Sequence, residues 1–371
     1  LNSGGARAVA AGGPPDAPAV GTPGGPERAR KARRYRRLLP GDRVAVVAPS
    51  GPAEPARLEA GCAVLRDLGL DTVVGKHALD QVNLGSAEPV RGDWHRLAGA
   101  DADRAADLQA AWCDPSVRAV VCARGGYGAT RVLDLLDWDA LRAATQASPA
   151  SGGPKILHGS SDITALHAAF GTRLGVTTSF GPMPAGVIAD LDPAAPDDSL
   201  DALRAALFGG AATLPGTRTL RPGRAEGPLT GGTLSLLTAL LGTPYAPPPA
   251  AGRIVFLEDV TEAPYRIDRM LVQLLQAGWF DGAAGVALGS WKDCGDPAEL
   301  DAVFAARLGP LGVPVLAGLP AGHGPRQHTL ELGAPAVLHA PAPPGHDPAD
   351  PHPAVPDTGA LTLEAPPGGA R

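Results

Sequence analysis

After Gly41 the chain alternates short apolar runs with amphipathic stretches. Arg43-Val44-Ala45-Val46-Val47-Ala48 is apolar at consecutive, mostly β-branched positions, the pattern of a strand buried on both faces of a parallel sheet. It breaks at Pro49-Ser50-Gly51-Pro52. Leu58, Cys62, Leu65 and Leu68 then recur at spacings of three and four and predict a helix over 54–68. Residues 71–74 predict a second strand, and the plan repeats with a helix over 101–113 and a strand over 119–123. That strand runs into Arg124-Gly125-Gly126-Tyr127-Gly128, followed by a helical 130–136 and a strand over 155–159. Strands and helices alternating at these lengths predict a doubly wound α/β sheet of parallel strands, whose ligands sit at the carboxyl ends of the strands.

The pattern changes after Pro184. Residues 185–226 are rich in Pro and Gly and read as an interdomain linker with one helical patch near 200–207. A second α/β domain is expected over 227–366. It has helices over 233–241, 267–277 and 299–307, strands over 253–257 and 285–288, and a closing hairpin of 335–339 with 360–364. The expected organisation is an arm over 1–40, an N-terminal domain over 41–184, the linker, and the C-terminal domain. Two domains suit 371 residues, because single cores seldom grow beyond about 250 to 300.

Charge sharpens this division. The net charge of −6 conceals eight basic and two acidic residues in 1–40, a balance of +6, which leaves 24 basic and 36 acidic residues, or −12, for the rest. Such a body repels nucleic acid phosphates, so only the basic arm could bind them electrostatically; that arm reads instead as a solvated, disordered extension, and nucleic acid is not an expected partner. No apolar run approaches the roughly 20 residues of a membrane span, and 1–40 holds no apolar segment followed by a cleavage site. Cys62, Cys113, Cys122 and Cys294 show no zinc-ligand spacing and read as reduced thiols, so a cytoplasmic protein without a metal is expected.

Candidate chemistry centres on Leu157-His158-Gly159-Ser160-Ser161-Asp162-Ile163-Thr164. The strand ends at Gly159, and Ile163, Leu166 and Phe170 mark one face of a following helix, so both serines occupy a sharp strand-to-helix turn. A serine there is raised above the sheet, and the first amides of the helix are free to hold an oxyanion. An ordinary N-cap satisfies the same pattern. Arg124-Gly125-Gly126-Tyr127-Gly128 reaches the same sheet edge, where glycines let backbone approach a ligand. Its spacing is not G-x-G-x-x-G, which argues against a dinucleotide site, while a plain tight turn stays open.

A serine nucleophile needs a base that a third group orients. Of nine histidines, His323 and His328 are best placed, His323 within the turn-rich 318–324. Glu258 and Asp259 end the strand over 253–257, where burial demands a partner and strand-end salt bridging is the plain alternative.

Taken together, 46–51, 123–128, 159–164, Gly231-Gly232-Thr233-Leu234, Phe256-Leu257-Glu258-Asp259-Val260 and Gly322-His323-Gly324 resemble the LD-carboxypeptidase family of serine peptidases, in order, from about 41 to 364. That family includes muropeptide LD-carboxypeptidases and microcin C immunity peptidases. The resemblance implies an N-terminal flavodoxin-like parallel sheet domain, a smaller C-terminal α/β domain, a homodimer, and no metal or organic cofactor. It further implies Ser161 as nucleophile, His323 as general base, Glu258 as the acid orienting it, and backbone amides of Asp162 and of Gly125 or Gly126 as oxyanion donors. Arg124 is by position a candidate cation for a carboxylate of the substrate, with a structural salt bridge as the plain alternative. The implied reaction releases terminal D-alanine from a recycled murein tetrapeptide. A peptidyl or aminoacyl nucleotide is the alternative substrate, and a non-catalytic small-ligand binder the alternative class. The arm over 1–40, the loop over 146–154 and the Pro-rich connection over 340–358 look longer than in relatives, and the middle one could reshape substrate access.

Overall fold

Val44 to Val47 are buried because the strand Arg43–Val47 lies between parallel neighbours, Asp71–Val74 and Val117–Cys122, and its side chains enter an apolar layer on each face of the sheet. The computed structural model describes residues 32–84, 96–147, 153–194, 196–342 and 359–363, all within the unit Lys31–Arg371. Ile156–Gly159 and Thr178–Phe180 extend the sheet in parallel, so its five parallel strands are ordered 2-1-3-4-5 in chain sequence. This is the flavodoxin-like order, which reverses between Arg43–Val47 and Val117–Cys122 and opens a crevice beyond their carboxyl ends. The segments 48–52 and 123–128 leave the sheet at that point.

Helices cover both faces. Pro55–Asp67 starts with Pro at its first turn and with the Glu54 carboxylate accepting the amides of Ala56 and Arg57. Thr164–Leu174 ends at Gly175, whose φ of 66° is a left-handed cap. Leu108, Trp112, Leu166 and Phe170 fill one apolar layer, and Val44, Leu58, Leu65 and Leu203 the other.

The second sheet has eight strands, in the order Ala212–Pro215, Ala360–Leu363, Pro335–Ala340, Gly223–Thr233, Ile254–Val260, Gly285–Lys292, Val315–Ala317 and Arg218–Arg221. Gly223–Thr233 joins its two halves: its first residues pair antiparallel with Pro335–Ala340, and its last pair parallel with Ile254–Val260. Thr233 thereby stands opposite Glu258. Leu234–Ala239, Pro264–Gln276 and Pro297–Leu308 supply the apolar side chains that cover one face. The expected hairpin is present, with Ala336 opposite Leu363 and His339 opposite Ala360.

Three expectations need correction. Residues 185–226 are more than a linker, because Ala212–Pro215, Arg218–Arg221 and the start of Gly223–Thr233 are strands of the second sheet. Their Pro and Gly residues fit because Ala212–Pro215 and Arg218–Arg221 are the two edge strands, where a missing backbone donor is tolerated. Residues 32–40 are not a solvated arm. Tyr35 and Leu38 are each 1% exposed in the core, Arg33 bridges to Val176, and Arg34 pairs with Glu331. The remainder of the arm, 1–31, lies outside the described residues, as do 148–152 and 343–358 of the two long loops. Finally, Leu330–Leu332 leaves the C-terminal half to pair antiparallel with Thr178–Phe180 as an edge of the first sheet. Phe180 and Phe256 meet edge to face at 5.4 Å in the apolar layer that both sheets share.

Candidate active site

Ser161 follows the buried strand Ile156–Gly159 and begins a single 3₁₀ turn before the helix Thr164–Leu174. Its φ is 60°, left-handed backbone that L-residues avoid at a cost of roughly 1–2 kcal/mol. Two buried histidines anchor the strand behind it. His158 Nε2–H donates to the Pro182 carbonyl at 2.6 Å, and His167 Nε2–H donates to the Gly159 carbonyl at 2.9 Å. Burial drives both rings down to about 4, so they are neutral framework groups.

Gly125 lies directly against the serine. A Cβ on Gly125 would come 2.7 Å from Ser161 Cβ, 3.0 Å from its Oγ and 3.5 Å from the Asp162 amide nitrogen. Gly51 N–H donates to the Gly125 carbonyl at 3.1 Å and pins the loop from the other side of the crevice. The Asp162 carboxylate turns inward, accepting the Ser50 hydroxyl and, at 2.7 Å, the Ala129 amide. Burial raises its pKa against these bonds and the nearby Arg104. Arg104, itself buried, donates to the carbonyls of Pro49 and Gly128 and so ties the two loops of the crevice together.

Glu258 is fully buried at the end of Ile254–Val260. His323 Nδ1–H donates to its Oε2 at 2.7 Å, and the His323 backbone N–H reaches the same oxygen at 3.1 Å. The Thr233 hydroxyl donates to Oε1. Gly322, at φ 103°, brings backbone so close to Glu258 that a Cβ would sit 2.5 Å from Oε2. Burial works to lower the pKa of His323, but its bond to Glu258, together with the charges of Glu258 and Asp259, prevails and the net shift is upward. Asp259 is buried beside the Ser235 and Val260 amides, and desolvation pushes its carboxyl up to about 6.

Ser161, His323, Arg124, Gly125 and Gly126 all line one cavity of about 390 Å³. Glu258 is bonded to His323 but does not itself line the cavity, and neither does His328, the other histidine singled out. Thr233 belongs to the Gly231-Gly232-Thr233-Leu234 motif, to which the family resemblance assigns no role. Arg57 and Gln327, which also line the cavity, carried no signal beyond their own elements. Among the described residues one group of side chains approaches a cation-holding arrangement, His77, Asp80 and Asp103, and it lies away from this cavity and is already joined by a 2.7 Å His77–Asp80 pair.

Family models for the LD-carboxypeptidase N-terminal domain and C-terminal domain match residues 44–181 and 226–338. The chain belongs to the LD-carboxypeptidase family. Like other LD-carboxypeptidases it is a hydrolase of the serine-type carboxypeptidase class. It is 49% identical over 340 residues to a carboxypeptidase-like protein of Streptomyces coelicolor, covering 91% of this chain and 98% of that one. Identity to the murein tetrapeptide carboxypeptidase of Pseudomonas aeruginosa is 34% over 308 residues, 80% of this chain and 92% of the other. The solved muramoyltetrapeptide carboxypeptidase of Oxalobacter formigenes superposes with a TM-score of 0.68 at 25% identity, over 86% of this chain and 98% of that chain.

Proposed function

We propose that this enzyme hydrolyses the peptide bond before the terminal D-alanine of a murein tetrapeptide, with Ser161, His323 and Glu258 acting as a triad. The carrying observation is that His323, bonded through Nδ1 to a buried carboxylate, lines the same cavity as a serine held at φ 60° on a strand-to-helix turn. The bond to Glu258 directs the His323 Nε2 lone pair outward, as a general base requires.

In this mechanism Ser161 Oγ attacks the scissile carbonyl while His323 Nε2 takes its proton. The amides of Asp162 and of Gly125 or Gly126 receive the oxyanion, each such donor being worth about 3 kcal/mol of barrier. The imidazolium, stabilised by Glu258, then protonates the leaving amine and D-alanine departs. Water repeats the sequence on the acyl-enzyme and releases the shortened peptide. Arg124 lines the cavity beside Gly125 and meets an acidic group of the peptide.

The test is D-alanine release from the purified tetrapeptide by wild-type enzyme and Ser161→Ala, with circular dichroism verifying the fold. Release should disappear in the variant. Full activity in folded Ser161→Ala would remove the mechanism.

A further inference from the structure

A second cavity, of about 470 Å³, adjoins the first, and the two share His323, Val187 and Gln327 as a common wall. Ser161, Gly125 and Gly126 line only the first, so the scissile carbonyl and the oxyanion belong there. The leaving amine must come within reach of His323 to take its proton, and so the residue carrying that amine lies on the histidine side of the reacting carbon. On the far side of that shared wall from Ser161 lies the second cavity.

Lys292 lines this second cavity, together with Ser290 and Trp291. It ends the strand Gly285–Lys292, opposite Val260 and two positions beyond Glu258 on the neighbouring strand. Its carbonyl accepts the Thr261 amide at 2.9 Å, which fixes the backbone from which the ammonium reaches out. Trp291 is held by Phe304 at 4.8 Å between ring centroids, and Ser290 Oγ accepts the Gly324 amide at 2.8 Å, so the neighbouring wall is built from anchored groups. Among the described residues no carboxylate forms an ion pair with Lys292, whereas Arg57 in the first cavity is already engaged at both ends by Asp190.

We propose that Lys292 binds the free carboxylate of the leaving terminal residue, and that this contact restricts the enzyme to the last bond of a peptide. The proposal rests on the peptidase reading above and assigns the leaving side to the second cavity, with Arg124 on the acyl side. A free carboxylate held by the ammonium is a charge-assisted contact made in ground and transition states alike, so its loss acts on KM.

The experiment compares a tetrapeptide ending in a free D-alanine carboxylate with its C-terminal carboxamide, using wild type, Lys292→Met and Arg124→Met. Wild type should prefer the acid. Lys292→Met should raise KM for the acid about 10- to 100-fold with kcat nearly unchanged and leave the amide unaffected, so the preference collapses. Arg124→Met should slow both substrates alike. Retention of the acid preference in Lys292→Met, or its collapse in Arg124→Met, would overturn the assignment. Failure of the wild type to release the terminal residue from either substrate would instead remove the peptidase reading, and this proposal with it.

Discussion

Thr233 stands opposite Glu258 across two parallel strands, and its hydroxyl donates to Oε1, the oxygen that His323 leaves free. Its backbone N–H donates to Thr164 Oγ1 at 3.1 Å, three residues beyond Ser161. One residue thus connects the start of the helix that follows the serine to the carboxylate that holds the histidine.

Replacing that donor should disturb catalysis more than folding. Thr233→Val keeps the shape and leaves Oε1 buried without a partner, a loss of about 1–3 kcal/mol. We expect kcat to fall about 10-fold or more with KM little changed, and Thr233→Ser to restore most of it. Steady-state kinetics beside thermal melts check this; an unaltered kcat in Thr233→Val would deny the threonine any positioning role.

Gly125→Ala should be close to inactive. Its Cβ would fall 2.7 Å from Ser161 Cβ, and the Gly51 bond keeps the loop from retreating. Overpacking of this kind costs roughly 1–3 kcal/mol of stability, while displacement of the serine should lower kcat by about 100-fold or more. Melting temperature and D-alanine release, measured on one preparation, separate the two effects.

The pH profile follows from His323. The free enzyme needs the neutral ring as base, and the ring's pKa is raised, so kcat/KM should climb through an acid limb above about 6.5. Asp259, titrating at about 6, adds negative charge near the ring on ionising. Asp259→Asn should therefore move the acid limb downward. A profile of kcat/KM between pH 5 and 9 for both proteins tests the sign.

Stability has its own pH dependence. His158 and His167 titrate near 4 in the folded protein against about 6.5 in the unfolded chain, so between these values the unfolded state binds protons that the native state does not. Stability should decline as pH falls through that window, by about 3 kcal/mol per ring on reaching pH 4. Urea midpoints at pH 7.5 and 5 measure the decline, and His167→Gln should lessen it.

Tyr35→Ala should destabilise the whole unit. The ring is buried among Leu38, Val44 and Leu207, and comparable aromatic truncations cost about 3–5 kcal/mol. A urea midpoint unchanged by this substitution would return residues 32–40 to the status of a solvated arm.

The elements most legible in the sequence were those with a long local signal. Asp101–Cys113 is a helix over the span its periodicity predicts, and the apolar runs at 43–47, 119–123 and 155–159 became neighbouring parallel strands. Ser161 at the turn, Glu258 at a strand end and His323 in a turn-rich loop could each be singled out from their flanking residues, although Ser161 and Glu258 each had a plain structural alternative.

By itself the sequence determined which segments must be buried strands, which must be helices, and where sharp turns expose polar side chains, because burial and backbone sterics act over a few residues. Only the tertiary structure decided that Leu330–Leu332 crosses to the first sheet, that 212–226 joins the second, that Tyr35 and Leu38 are core, and that Thr233 serves Glu258. Strands of three or four residues have too few positions to display a period, and their pairing depends on partners distant in the chain. The same holds for the two cavities meeting at His323: a wall built from separate loops exists only once both sheets have packed.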